Sequence, residues 1–182
     1  MERKFKFIGD SKVTISQLML PSYTNFSGKI HGGYLLSLLD QIAFACACKH
    51  SGNYCVTASV HTVDFLNPIE VGELVTMKAL VNYVGSSSMI VGIRVQSENI
   101  QTGKIKHCNS SYFTMVAKDN DGNNVKVPGL ILKNETEIRR FYNGLKIIEA
   151  RKAKKHYEAN FDFKSNEAII GLAGFNLKIE ID

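Results

Sequence analysis

The chain opens on MERKFKFIGD, which carries charges but no apolar run, so no secretory signal is expected. No later stretch is long enough to cross a bilayer, because the longest apolar segment, Tyr34 to Cys48, is interrupted by Ser37, Asp40 and Gln41. No CxxC pair and no His-rich ligand set accompanies the four cysteines, Cys46, Cys48, Cys55 and Cys108. Cys46 and Cys48 stand two apart on an expected helix, where their side chains diverge. Neither a metal site nor a disulfide is therefore expected, but buried free thiols in a reducing cytoplasm are. Internal repeats and low-complexity segments are missing as well.

What is present is an ordinary globular balance. With 182 residues, 45% of them apolar and 21% charged, the chain suits one domain, or one domain plus an extension, with a substantial core. The net charge of +5, from 22 basic and 17 acidic side chains, favours a polyanionic partner. Nucleic acid, an anionic membrane and a phosphate-rich small molecule all meet that condition, and composition does not choose among them.

Val13, Ile15 and Leu18 point to a short first strand. A turn-rich segment from Pro21 to Gly28 follows, then Gly32-Gly33, then YLLSLLDQIAFACACKH, a helix of four to five turns. That helix is apolar nearly all round and is expected to be enclosed. Four strands follow, Cys55 to Phe65, Leu74 to Val84, Met89 to Ser97 and Lys106 to Val116, each rich in β-branched or aromatic residues. Turn chemistry separates them: Asn67-Pro68 with Gly72, Gly85 before three serines, and Thr102-Gly103. Asp121-Gly122 makes another turn and Pro128-Gly129 closes the region. Short connections favour antiparallel pairing, so an α+β arrangement of one helix wrapped by about five strands is expected. A second helix, about Glu135 to His156, opens on an Asn134 N-cap and ends in the basic run Arg151, Lys152, Lys154, Lys155. Ile169, Ile170, Leu172 and Phe175 make the tail too apolar to stay unpacked.

Asp40 is the anomaly. It sits mid-helix with Leu36, Leu39, Ala43 and Phe44 at the one-turn positions, where a carboxylate is costly unless paired, hydrated or used. A structural Asp facing a solvated gap and a general base both satisfy that pattern. Upstream, Gly32 and Gly33 open the helix, so uncapped N–H groups there could receive a developing oxyanion. Asn25, seven residues before the first glycine, carries an amide able to orient a water or a carbonyl. Each feature alone reads as turn or cap; their conjunction reads as a site.

These residues resemble a known family. The run NFSGKIHGGYLLSLLD, then CVTASVHTVDFLNPIEVGE, GSSSMIV, SENIQTG, and YFTMVAKDNDG with VP after it, are similar to the hot-dog acyl-CoA thioesterases. The branch they match best is that of cytosolic long-chain and broad-range acyl-CoA hydrolases. The resemblance covers about Leu18 to Pro128, and more loosely the second helix. It implies a hot-dog domain over residues 1–130, a five-stranded antiparallel sheet wrapped around a central helix. A C-terminal helix and apolar extension follow over residues 131–182.

The resemblance further implies that paired hot-dogs share one sheet and assemble as trimers of dimers, a hexamer. Asn25 of one unit would face Asp40 of the other, with Asp40 as general base or nucleophile. The backbone at His31, Gly32 and Gly33 would polarise the thioester carbonyl, with the Gly33 N–H as oxyanion donor. Thr57, Ala58, Ser59 and Val60, with Ser86, Ser87 and Ser88, would line the coenzyme A arm. The substrate implied is acyl-CoA and the products are fatty acid and coenzyme A. No further cofactor, metal, nucleic acid or membrane insertion is required, and a cytoplasmic location is expected.

Two features depart from the pattern. His61 stands where relatives carry another polar residue and is read as a strand His facing solvent or a partner. The apolar extension has no family counterpart. Two rivals remain: a non-catalytic acyl-CoA sensor on the same fold, and a hot-dog dehydratase or hydratase using a catalytic His, for which His31 lies near the right region.

Overall fold

In the computed structural model, which describes residues 4–162, 164–172, 175–178 and 180, the central helix α1 is Gly32–Ser51. Its buried residues, Leu35, Leu38, Leu39, Ile42, Ala43, Cys46, Ala47 and His50, repeat at three- and four-residue steps and form one stripe. It ends where Gly52, at φ 73, turns left-handed and returns its N–H to the Cys48 carbonyl, a closure that suits glycine. The opposite face is exposed, with Leu36, Ser37, Asp40, Gln41 and Phe44 along it. The helix is thus not enclosed all round, because one layer of sheet covers only one side of it.

That layer is antiparallel. With β1 at Phe5–Phe7 and β2 at Val13–Leu18, the strands continue as β3 Tyr54–Val60, β4 Asp64–Phe65, β5 Glu73–Val84, β6 Ser88–Asn99 and β7 Ile105–Lys118. The sheet order is β2-β5-β6-β7-β3, with the short β4 also paired on β7. Alternation decides which face turns inward: Val75, Met77, Ala79 and Val81 of β5 meet α1, while Thr76, Lys78 and Leu80 point away. Val91, Ile93 and Val95 of β6 and Phe113, Met115 and Ala117 of β7 continue the same inner layer. Leu39 and Ile42, both 0% exposed, sit against it. Burying each stabilises the fold by roughly 1.5–3 kcal/mol, and Leu39→Ala would cost about 2–5 kcal/mol with its cavity.

The expected five strands and the turns at Gly72, Gly103 and Gly122, all at positive φ, are present. Four details differ. The first of the four long strands is broken at residues 61–63 and carries a bulge between Thr57 and Ser59, which leaves Ala58 unpaired. Pro128-Gly129 does not simply close the region, because Gly129–Ile131 forms β8, parallel to β1. A Cβ on Gly129 would fall 2.4 Å from the Phe5 ring, so glycine permits that approach. The second helix, α2, runs Glu135–Asn160, so the basic run precedes its last turn instead of ending it. Its start is as expected: Asn134 Oδ1 accepts from Glu137 N at 3.0 Å, and Glu137 Oε2 accepts from Lys133 N at 2.6 Å.

The chain forms two compact units, Met1–Leu145 and Lys146–Asp182. In the second, a short helix α3, Asn166–Ile170, follows α2. Ile170 is 71% exposed and Phe175 67%, contrary to the packing expected of them, since so small a unit encloses little. Among the described residues no helix is long and apolar enough to cross a membrane. The four cysteines are free.

Candidate active site

The loop before α1 is a closed turn. Asn25 N donates to the Lys29 carbonyl at 2.7 Å, and Gly28, at φ 76, donates to the Asn25 carbonyl at 3.0 Å. The Asn25 side-chain oxygen accepts three hydrogen bonds, from Ser27 N at 3.0 Å, Ser27 Oγ at 2.8 Å and Lys29 N at 3.2 Å. Three donors on one atom settle which end of the amide is oxygen. Asn25 Nδ2 has no acceptor among the described residues, so two N–H groups point out of the turn. Phe26 beside it is fully exposed.

The helix start differs from expectation in one respect. His31 is the N-cap, and its Nδ1 accepts from Gly33 N at 2.9 Å. The Gly33 N–H is thus capped, and the imidazole that caps it is neutral, with its proton on Nε2. The Gly32 N–H has no partner among the described residues. Both glycines are close to a ring: a Cβ on Gly33 would lie 2.8 Å from the His31 ring and displace it, and one on Gly32 would lie 3.3 Å from the Phe65 ring. Tyr23 and Tyr34 stack behind the turn at 4.0 Å, and Gln17 Nε2 donates to the Tyr34 hydroxyl at 2.5 Å.

Asp40 lies two turns further along, on the exposed face of α1. It is not the desolvated carboxylate that its apolar neighbours suggest, because Leu36 and Phe44 share its outward face. Its Oδ1 accepts from Thr57 Oγ1 at 2.5 Å, tying the helix to β3, while its Oδ2 has no partner among the described residues. A groove of about 520 Å³ opens beside the pair, lined by Gln41, Phe44, Tyr54, Cys55 and Val56 as well. Phe44 and Tyr54 meet edge to face at 5.6 Å and divide it from a second groove of about 640 Å³ that reaches Asn53 and Asp119. Burial pushes the Cys55 thiol up to about 11, so the sulfur lining the groove stays protonated and is a poor nucleophile.

The residues singled out in the sequence fall into three groups. Asp40 and Thr57 are brought into contact, and Thr57 holds the carboxylate, a partnership visible only in the register. Asn25, His31, Gly32 and Gly33 gather at the helix start, about 10 Å from Asp40 along α1 at 1.5 Å per residue. Among the described residues no hydrogen bond joins the two groups. Ser88 lies opposite Val116, which lies opposite Val56, so the serine loop flanks the same end of the sheet. Ser86 and Ser87 use their carbonyls to hold Val127 N and Ala117 N. Ala58 sits exposed in the bulge, Ser59 is half-buried and Val60 exposed. His61 is half-buried, its Nε2 2.7 Å from Thr114 Oγ1. Phe44 and Tyr54 were not anticipated; an outward aromatic on α1 facing the start of β3 was the available signal. No cluster of three or more His, Cys, Asp or Glu side chains placed to hold a metal occurs among the described residues.

Residues 27–104 match the model of the thioesterase superfamily. Protein VdlD of Helicobacter pylori is 46% identical over 141 residues, 78% of this chain and 80% of that protein. An uncharacterized acyl-CoA thioester hydrolase of Bacillus subtilis is 35% identical over 84% of this chain and 88% of its own length. Among solved structures, a hexameric acyl-CoA thioesterase superimposes with a TM-score of 0.78 at 33% identity, over 87% of this chain and 99% of that one. An acyl-CoA hydrolase of Staphylococcus aureus, solved with butyryl coenzyme A, coenzyme A and coenzyme A disulfide, gives 0.79 at 32% identity over 93% and 99%. That enzyme has also been solved with one Asp, one Asn or one Thr replaced by alanine. Its Asn and Asp stand fifteen residues apart and its Asp and Thr seventeen, the intervals that separate Asn25 from Asp40 and Asp40 from Thr57.

Proposed function

The chain belongs to the thioesterase superfamily and hydrolyses acyl-CoA thioesters, and from that premise we propose that Asp40, Thr57 and Asn25 carry the reaction in a site shared between two protomers. Asp40 Oδ2, left open while Thr57 holds Oδ1, takes a proton from water, and the oxygen of that water attacks the thioester carbon. The resulting oxyanion is met by the outward N–H groups of Asn25 and by the start of α1. There the Gly32 N–H is open, and the Gly33 N–H joins it once His31 turns aside. The carbon–sulfur bond breaks, and coenzyme A leaves as thiolate and regains a proton from Asp40. The step draws on no cofactor or metal, since a thiolate leaves readily.

Helix geometry supports the division of labour. A carbonyl within hydrogen-bond reach of Gly33 lies about 10 Å along the axis from Asp40 of the same chain, too far for one water to bridge. Pairing two protomers would bring the helix start of one to the Asp40 of the other. The exposed face of α1 supports such pairing, with Leu36 36% and Phe44 39% exposed, as does the outer edge of β3, which pairs with no strand among the described residues. On this reading the protein is a homo-oligomer, a hexamer of hot-dog dimers, and residues 1–130 form the hydrolase domain, with 131–182 appended to it. Thr57 to Val60 and Ser86 to Ser88 would border the coenzyme A arm. The protein would work in the cytoplasm, in keeping with its four free thiols.

The single observation that carries the site assignment is the Thr57–Asp40 contact at the mouth of the groove. The test is release of free thiol from a panel of acyl-CoA esters. Turnover that depends on Asp40 supports the reading. Tight binding without thiol release would mark a sensor, and product that hydrates or dehydrates the acyl chain would mark a hydratase or dehydratase.

A further inference from the structure

One aromatic ring is left bare in the protomer. Phe26 is 114% exposed, while Ile170, the next most exposed large apolar side chain among the described residues, is 71%. Looseness does not explain it, because the turn that presents the ring is pinned. Asn25 Oδ1 takes three hydrogen bonds from Ser27 and Lys29. Thr24 and Ile30 bridge the base of the turn, and Ile30 N donates to the Ile69 carbonyl at 3.0 Å. The Lys29 ammonium sits 2.7 Å from the Glu70 carboxylate and ties the turn to the loop before β5. A phenyl ring left in water forgoes the hydrophobic gain that burial would give. Aromatic rings are enriched at protein interfaces, and a ring whose presentation is fixed beforehand loses little freedom on docking.

A receptor for such a ring lies on the outward face of α1. Phe44 and Tyr54, both exposed, meet edge to face at 5.6 Å and border the groove of about 520 Å³ beside Asp40, where Val56 adds an apolar wall. A third ring joins such a pair readily through offset or edge-to-face contact. Phe44 follows Asp40 by four residues, so it stands one turn, about 6 Å, along the same face. Phe26 follows Asn25 directly, their Cα atoms about 3.8 Å apart. A second copy that brings Asn25 to Asp40 therefore carries Phe26 into the neighbourhood of Phe44. Tyr54 opens β3, whose outer edge pairs with no strand among the described residues, so it lies on the same surface.

We propose that Phe26 seats against Phe44 and Tyr54 of a second copy of this chain, and that this contact sets Asn25 of one protomer against Asp40 of the other. The inference rests on the shared site proposed above and adds what holds that site in register. Phe26 does not meet the reacting atoms; it is a positioning residue that acts through Asn25. Twofold symmetry makes the contact reciprocal, each protomer giving one ring and receiving one.

The chain has no tryptophan, so Phe26→Trp in the full chain installs a single fluorescent reporter. Its emission in the assembled protein is expected well to the blue of free N-acetyltryptophanamide. Adding Phe44→Ala/Tyr54→Ala should return the emission to that of the free amide. Phe26→Ala should lower kcat for thiol release by about tenfold or more, because small misplacements in a site are costly, with KM for acyl-CoA within about twofold. Phe26→Leu should restore most of kcat. Emission at the free-amide position in the assembled Phe26→Trp protein overturns the contact, as does a blue shift that Phe44→Ala/Tyr54→Ala leaves in place. A shift that appears only when coenzyme A is added also overturns it, since the ring would then meet ligand and not a second copy. Folded Phe26→Ala protein with kcat within about twofold of wild type overturns the positioning role. If inactive Asn25 and Asp40 variants rescue each other while the reporter stays in water, the shared site stands and this contact alone falls. A monomer by light scattering removes both.

Discussion

Replacing Thr57 with valine keeps the shape of the side chain and removes the one proton it gives to Asp40. The structure sets the size of the effect. The hydroxyl lies 2.5 Å from Asp40 Oδ1, a charge-assisted geometry. A hydrogen bond to a charged group contributes roughly 1.5–3 kcal/mol, and this one is solvent-exposed in the protomer, so about 1.5–2 kcal/mol is expected. If that energy fixes the carboxylate for proton abstraction, kcat falls by about ten- to thirtyfold. Thr57 acts through Asp40 and is a positioning residue, so KM should move little and Thr57→Ser should restore most of kcat. Valine suits a strand, so Tm should hold within a few degrees. The assay is steady-state thiol release across acyl-CoA concentrations, with circular dichroism as a fold control. A folded Thr57→Val protein whose kcat stays within twofold of wild type would refute the claim that this contact serves the chemistry.

Other expectations follow from the same geometry. Asp40→Asn and Asn25→Ala should each remove most turnover while leaving fold and assembly unchanged; near-normal turnover by folded Asp40→Asn protein would exclude that carboxylate. Mixing the two inactive variants with proven subunit exchange should restore about a quarter of wild-type activity, because half the dimers are mixed and each mixed dimer has one intact site; exchange with no recovery would place both residues in one chain. Light scattering should report an oligomer at working concentration, and a monomer would remove the shared site. Stability should fall in two steps on acidification. Burial, with a lesser push from Lys6, holds the His50 imidazole below its ordinary 6.5, so its neutral form contributes fully above that pH and is lost as pH falls from there. Glu73 is pushed up by burial, but Lys106 at 2.8 Å, Ser97 and Glu70 N outweigh this and hold it below its ordinary 4.5. Its contribution is therefore present above pH 4.5 and lost as pH falls through the lower, folded value. Denaturant melts of His50→Gln that keep the first step, or of Glu73→Gln that keep the second, would break these assignments.

Much of this molecule was legible in the chain itself. The strands β5, β6 and β7 alternate over most of their length, with irregular steps at Val81/Tyr83 and Val95/Gln96, and are joined by short turns, so local chemistry largely specifies them. What stayed hidden depends on distant partners. Phe5–Phe7 and Gly129–Ile131 are too short to show a period and exist through each other. Leu36 and Phe44 are apolar yet face outward, so a hydropathy pattern could not separate a core stripe from a surface that awaits a neighbour. That ambiguity made Asp40 look buried. The capping of Gly33 by His31 and the hold of Thr57 on Asp40 depend on side-chain direction and on strand register, which no spacing rule supplies.

The sheet order has a consequence for synthesis. Asn25, Asp40 and Thr57 are all translated within the first third of the chain, yet β3, which carries Thr57, pairs among the described residues only with β7, whose last paired residue is Lys118. As the chain leaves the ribosome, α1 and β3 emerge before any strand that can receive them. The meander β5-β6-β7 closes through short turns, and β2 and β3 join its two edges only by closing loops of more than forty residues. The catalytic pair is therefore encoded early and assembled late. A nascent chain stalled before β7 holds the helix with its apolar stripe uncovered, a form that needs protection from its neighbours until translation catches up.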